Sequence, residues 1–215
     1  TTKAASSTDG INWTIRTMPS TAQWGALAYG NGTFVAVTTG GVPAASSTDG
    51  ITWTTRTLPS ASSWQSVAYG NGVYCMVAYA TASAARSTDG ITWTATTMPS
   101  NVAWYAIAYG NGIFLAASNN STTGAYSTDG ITWTTTTVPT STSNYRMVYG
   151  NGIFVLTQQT NATASYTTDG ITWTTTNIIN SSNNNYITYG NNIELLLSEV
   201  DLISIERAIG TYILP

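Results

Sequence analysis

Apolar and polar positions along this chain return at the same places every 40 residues, and within each copy they alternate in short runs. From Trp64 to Tyr69 the run alternates in period two, Gly70-Asn71-Gly72 breaks it, and Val73 to Val77 carries a second apolar stretch back. Two β-prone runs on either side of a Gly/Asn turn predict a hairpin. Residues 84–88 form a third short run, Asp89-Gly90 marks a second turn, and Ile91 to Thr97 reads as a fourth strand rich in β-branched residues. Ile91 and Trp93 share one parity and the threonines the other, which predicts an apolar face packed between sheets and a polar face outside.

Two phrases recur in step. STDGINWT surrounds Asp9, STDGITWT surrounds Asp49, Asp89 and Asp129, and TTDGITWT surrounds Asp169; YGNG begins at Tyr29, Tyr69, Tyr109 and Tyr149, and YGNN at Tyr189. A strict period of this size means one supersecondary unit copied in a row. With no helical periodicity, four antiparallel strands per copy (a to d) predict an all-β, five-bladed β-propeller of four-stranded antiparallel blades; six blades or an open ring are the alternatives. The chain opens on a c–d hairpin (residues 4–16), runs through four complete units, and ends the pattern with an a–b pair from Tyr186 to Leu197. The propeller is therefore expected over residues 1–198, with the N-terminal hairpin completing the blade begun by the last pair. Gly210 lies 40 residues after Gly170, so Ile203 to Leu214 also reads as a worn c–d hairpin for the same slot. If the N-terminal hairpin takes that slot, the apolar and acidic tail, 199–215, is left to contact another structural subunit or a second copy.

Composition narrows the classes. Charged residues are only 7% of the chain and histidine is absent, yet eight Trp and thirteen Tyr oppose a disordered reading. No apolar run approaches the ~18 residues of a membrane-spanning helix, so no membrane insertion is expected, and no targeting segment is visible at the start. Up to residue 193 the cations balance the five repeat aspartates, and the net charge of −3 resides in residues 194–215. A neutral body rich in Thr, Ser and Asn offers no basic stripe, so nucleic acid is not an expected partner. The single Cys75 excludes an internal disulfide or a cysteine metal cage, and neither metal nor cofactor is expected.

S-T-D-G-I-T-W resembles an Asp-box shortened by one residue, the S-x-D-x-G-x-x-W turn of sialidase-like propellers. Together with W-x-x-(apolar)-A-Y-G-N-G-x-F, the units resemble propeller repeats of phage tail-fibre proteins and bacterial surface proteins, over residues 3 to about 197. That resemblance implies a receptor-binding role on a virion or cell surface, outside the cell, with a cell-surface glycan or another host receptor as partner. It also raises sialidase-type hydrolysis. Glycosidases use a carboxylate pair, or a tyrosine nucleophile with supporting acids. Here every acid outside the tail is the same turn aspartate in each copy, so the residues read as a protein that is not an enzyme, with no catalytic set. Asp9, Asp49, Asp89, Asp129 and Asp169 instead suit a structural turn, accepting backbone N–H groups. One aspartate per turn is too few hard ligands for calcium.

The a–b and c–d turns stay nearly fixed, whereas the b–c segments (TTGGVPA, AYATASA, SNNSTTG, QQTNATA, SEVDLIS) and the d–a segments (PSTAQW, PSASSW, PSNVAW, PTSTSN, INSSNN) differ from copy to copy. In an up-and-down blade these fall on opposite faces: one uniform, one variable. The variable loops are either the functional side or segments that drift unconstrained. Trp24, Trp64 and Trp104 open strand a in three copies and become Asn144 and Asn184 in the others. They either cap the core or form platforms for sugar rings, with Gln23, Gln65, Tyr105, Tyr145 and Arg146 beside them. The two roles open to the chain are then a lectin-like recognition domain and a spacer in a fibre.

Overall fold

The structure is a computed structural model and describes residues 2–41, 43–139, 144–158, 163–177, 184–190 and 193–198. Every regular element in that range is a β-strand. β1 (Lys3–Ser6) and β2 (Thr14–Thr17) form a two-stranded sheet. The first complete blade holds β3 (Trp24–Gly30), β4 (Thr33–Thr38), β5 (Ala44–Ser47) and β6 (Thr54–Arg56). The second holds β7 (Trp64–Gly70), β8 (Val73–Ala78), β9 (Ser83–Ser87) and β10 (Thr94–Thr97). The third is β11 (Trp104–Gly110), β12 (Ile113–Ser118), β13 (Thr123–Ser127) and β14 (Thr134–Thr137). The fourth is β15 (Asn144–Gly150), β16 (Ile153–Gln158), β17 (Thr163–Thr167) and β18 (Thr174–Asn177). β19 (Asn184–Gly190) and β20 (Ile193–Ser198) pair as a final two-stranded sheet. Four complete up-and-down blades, with one two-stranded sheet before them and another after, make this an all-β chain of five-bladed propeller architecture. Whether the tail, 199–215, contacts a subunit or forms a hairpin lies outside the described residues.

Neighbouring blades meet through their a strands: β3, β7, β11, β15 and β19 stand side by side in that order. The core lies between blades. Between the first two, Val35, Val37, Leu58, Trp64, Val67, Tyr74, Met76 and Trp93 bury one another. Between the next two, Cys75, Val77, Met98, Trp104, Ile107 and Phe114 do the same. Packing of the second blade on both faces explains why β8 is buried at all six positions rather than at alternate ones.

Two sequence expectations change here. Trp93 and Trp133 pack against these two clusters, Trp53 against Met18, Ala36 and Ala45, and Trp173 against Ala108, Leu115 and Phe154, but Trp13 is 64% exposed. Ile11, Ile51, Ile91, Ile131 and Ile171 are exposed rather than in the core. The Asp-Gly turn extends past the isoleucine, and strand d begins only at residues 14, 54, 94, 134 and 174. Strand parity therefore does not apply at the isoleucines.

Candidate functional site

The uniform face is built from the two repeated turns. Asp89 Oδ1 accepts the backbone N–H of Ile91 and of Thr92, each at 2.8 Å. The Ser87 hydroxyl donates to the same oxygen at 2.9 Å and accepts the Gly90 N–H at 2.8 Å. Gly90 sits at φ 70°, a left-handed conformation that glycine tolerates. The same bonds recur at Asp9, Asp49, Asp129 and Asp169, with Thr167 replacing serine in the last. The backbone N–H groups lower all five carboxyls, and Asp49 and Asp169 fall to about 2. Asn111 ties neighbouring turns together, donating to Thr168 O at 2.9 Å and Gly152 O at 3.1 Å while accepting the Tyr149 hydroxyl at 2.6 Å. Constant a–b and c–d turns thus share one face and are occupied by their own backbone. Among the described residues no three His, Cys, Asp or Glu side chains stand together as a metal site.

The variable loops are pinned to one another on the opposite face. Within a blade, the b–c loop donates to the d–a loop: Thr39 N–H to Gln23 O at 2.9 Å, Tyr79 to Ser63 at 2.8 Å, and Asn119 to Ala103 at 2.7 Å. Between blades, the Ser63 hydroxyl donates to Thr39 O. At the mouth of each a strand the ladder slips by one residue, between Trp24 and Ala26, Trp64 and Ser66, Trp104 and Ala106, Asn144 and Arg146, and Asn184 and Tyr186. The extra residue is Gly25, Gln65, Tyr105, Tyr145 or Asn185. A bulge re-aims the side chain at the unpaired position, and bulges concentrate next to functional sites. One unpaired position per a strand, different in almost every copy, thus stands at the variable end of each blade.

The candidate residues divide accordingly. Trp64 and Trp104 are fully buried, and Trp104 Nε1–H donates to Ser100 O at 3.0 Å. This corrects the platform alternative for both: they plug the seams between blades, because the bulge puts Trp64 in one cluster with Val67, three residues on. Trp24 is half-buried at the edge of the first blade. Gln23 is exposed on its d–a loop, and Gln65 is half-buried at its bulge, where Nε2–H donates to the Ser63 hydroxyl at 3.0 Å. Tyr105 meets the exposed Tyr79 of the preceding blade edge-on, with ring centroids 6.2 Å apart. Tyr145 occupies the fourth bulge position and the half-buried Arg146 follows it. Tyr79 was missed from the sequence because it stands inside a segment singled out only for its variability.

Uniform turns on one face and pinned, divergent loops around a bulged mouth define a β-propeller with a candidate recognition face. No family model and no curated protein sequence matches the chain. Solved structures do. Virginiamycin B lyase from Staphylococcus aureus superposes with a TM-score of 0.81 at 15% identity, over 93% of this chain and 71% of that one. A nidogen/laminin complex gives 0.69 at 9% identity, over 86% and 76%. YCF48 bound to D1 peptide gives 0.57 at 16% identity, over 77% and 56%. At these identities the likeness is one of fold. It nevertheless corrects the expectation that the chain is not an enzyme, since the lyase that shares its fold is one, and the scarcity of acids does not decide the matter.

Proposed function

We propose that the chain is a recognition propeller whose variable face binds a cell-surface receptor, through the receptor's glycan or protein surface, in the setting of a virion tail fibre or bacterial surface protein outside the cell. The observation that carries this reading is the ring of bulged positions on the face where the copies diverge, opposite a face whose turns are consumed by their own hydrogen bonds. Tyr79 and Tyr105 supply adjoining aromatic surface with hydroxyl handles, and Gln65 and the Ser, Thr and Asn of the loops supply donors and acceptors. From β3 to β19 no carboxylate stands on the variable side, because every Asp in that span belongs to the opposite turns. A polar and aromatic surface poor in charge suits hydroxyl-rich or uncharged ligands better than polyanions. The D1 peptide bound to YCF48 and laminin in complex with nidogen give precedent for protein ligands on propellers of this fold. Repeated positions around one mouth also suit ligands that are weak singly and gain by multiple engagement. The spacer role is the competing outcome.

The test is saturable binding of the purified chain to arrays of cell-surface glycans and glycoproteins. Tyr105→Ala is expected to weaken binding about fivefold or more, the order set by losing ~1 kcal/mol at a contact residue. Ile91→Ser, on the uniform face, should leave it unchanged. No saturable ligand, or equal loss from both variants, would leave the spacer role standing.

A further inference from the structure

Each seam between complete blades is built from the same positions, and the two ends of the chain hold the unmatched halves of one more seam. Position 67 or 107 of strand a is closed against the preceding blade: Val67 is 6% exposed and Ile107 4%, but Leu27 is 60% exposed. What covers such a position is strand b of the preceding blade, Val35 and Val37 at one seam and Cys75 and Val77 at the next. In front of the first blade that strand is lacking, and an open cleft of about 260 Å³ lies there, lined by Ala5, Met18, Trp24, Leu27, Ala36 and Trp53 among others. An apolar cavity of ~150 Å³ already holds a benzene ring, so this cleft has room for leucine-sized side chains.

The glycines give the same account. A side chain at Gly90 would strike Val35, one at Gly130 would strike Cys75, and one at Gly170 would strike Leu115, always 55 residues earlier. Gly50 meets only Phe34. Its missing neighbour, counted round five copies of 40 residues, is position 195. Counted likewise, Leu195 and Leu197 of β20 stand where Val35 and Val37 stand at the first complete seam. The tyrosines agree. Tyr69 fills the space beside Gly30, Tyr109 beside Gly70, Tyr149 beside Gly110 and Tyr189 beside Gly150, each 39 residues on. Tyr29 is 58% exposed with no such glycine before it. Its counterpart round the ring is Gly190, a glycine kept although the phrase there has drifted to YGNN.

We propose that the cleft on the first blade is the docking surface for the chain's own β19–β20 hairpin, so that β1 and β20 pair and the five blades close into a ring. Transferring the register of the fourth blade, where Val155 faces Tyr166, Leu156 faces Ser165 and Thr157 faces Ala164, sets Leu195 opposite Ser6, Leu196 opposite Ala5 and Leu197 opposite Ala4. Closure gives Tyr29 its glycine, covers Leu27, and brings Trp13 against the fourth blade, as Trp93 is held against the first. The inference does not depend on the recognition reading. Attachment within one chain is favoured over a second copy because both halves are tethered, which makes the effective concentration high.

Cysteines directly opposite on antiparallel strands are within disulfide reach. The Ala5→Cys/Leu196→Cys variant should therefore form a cross-link under mild oxidation that leaves the chain monomeric in mass. Cys75, buried and with its thiol raised to about 12, stays out of the exchange. A cross-link found only between two chains would replace closure by association of copies, and no cross-link would overturn it. In the unaltered chain, hydrogen exchange across β1 should be as slow as across β9, which is flanked on both sides. Exchange at β1 typical of a free edge strand would also defeat the proposal.

Discussion

The ring of Tyr109 occupies the space that a side chain at Gly70 would need, so the last residue of β7 is a socket for the third blade. Four such pairs cross the seams between β3, β7, β11, β15 and β19, and each couples the tyrosine of one YGN phrase to the glycine of the phrase before it. The tyrosine also leans on its own blade, as Tyr109 does on Phe114 with centroids 4.8 Å apart. One repeated dipeptide thus supplies both sides of a contact between copies.

Replacing Gly70 by alanine should cost roughly 1–3 kcal/mol or more, the cost of overpacking a seam that cannot open. Gly72, at φ 77° with open space around it, should cost about 1 kcal/mol on substitution by alanine, from backbone conformation alone. Denaturant titration of both variants checks the order. A double-mutant cycle of Gly70→Ala with Tyr109→Ala should show a coupling of roughly 0.5–3 kcal/mol. Equal costs at 70 and 72 would remove the socket.

Acid stability should follow the turn aspartates. The carboxyls of Asp49 and Asp169 titrate near 2 in the folded chain against 3.8 as the ordinary value. A depressed folded value stabilises above the ordinary one, and that contribution is lost as pH falls through the folded one. The thermal midpoint should hold steady down to about pH 4.5 and decline between pH 4 and 2. Asp49→Asn should start lower at neutral pH and lose less in acid. A wild-type midpoint that does not move down to pH 2 would contradict this.

Ser87→Ala removes a buried hydroxyl that bonds both Asp89 and the Gly90 N–H. The expected loss is about 1 kcal/mol, read from the denaturation midpoint. Thr should restore most of it, because Thr167 makes the same bonds in the fourth blade.

Trp104→Ala should destabilise by about 3–5 kcal/mol, since the whole side chain lies in a closed seam. Trp64→Ala should behave alike. Any loss of ligand binding in either variant should track unfolding, whereas Tyr105→Ala should weaken binding of the folded chain at a stability cost of about 1 kcal/mol, the order of the ring contact with Tyr79.

Cys75 is buried, and desolvation raises its thiol to about 12 despite the nearby Arg86. Iodoacetamide at pH 8 should leave the folded chain unlabelled and modify it only on unfolding. Rapid labelling of the native chain would show that the seam between the second and third blades opens.

The sequence determined the architecture by repetition. Four strands per 40 residues, turns at Gly and Asp, and the order of the hairpins could all be read because turn chemistry and short-range alternation are local properties. It also separated a uniform face from a variable one, since an up-and-down blade sends alternate turns to opposite ends. The tertiary structure decided which side of a strand each residue faces. Ile91 reads as a core residue until the turn is seen to run past it, and Trp64 stays open between core cap and sugar platform until its burial in the seam decides for the core. A slip of one residue inverts inside and outside, and neither a bulge nor the length of a turn is fixed by residue types alone. Tyr79 and Tyr105 likewise meet only because two blades stand side by side, a proximity no local pattern contains.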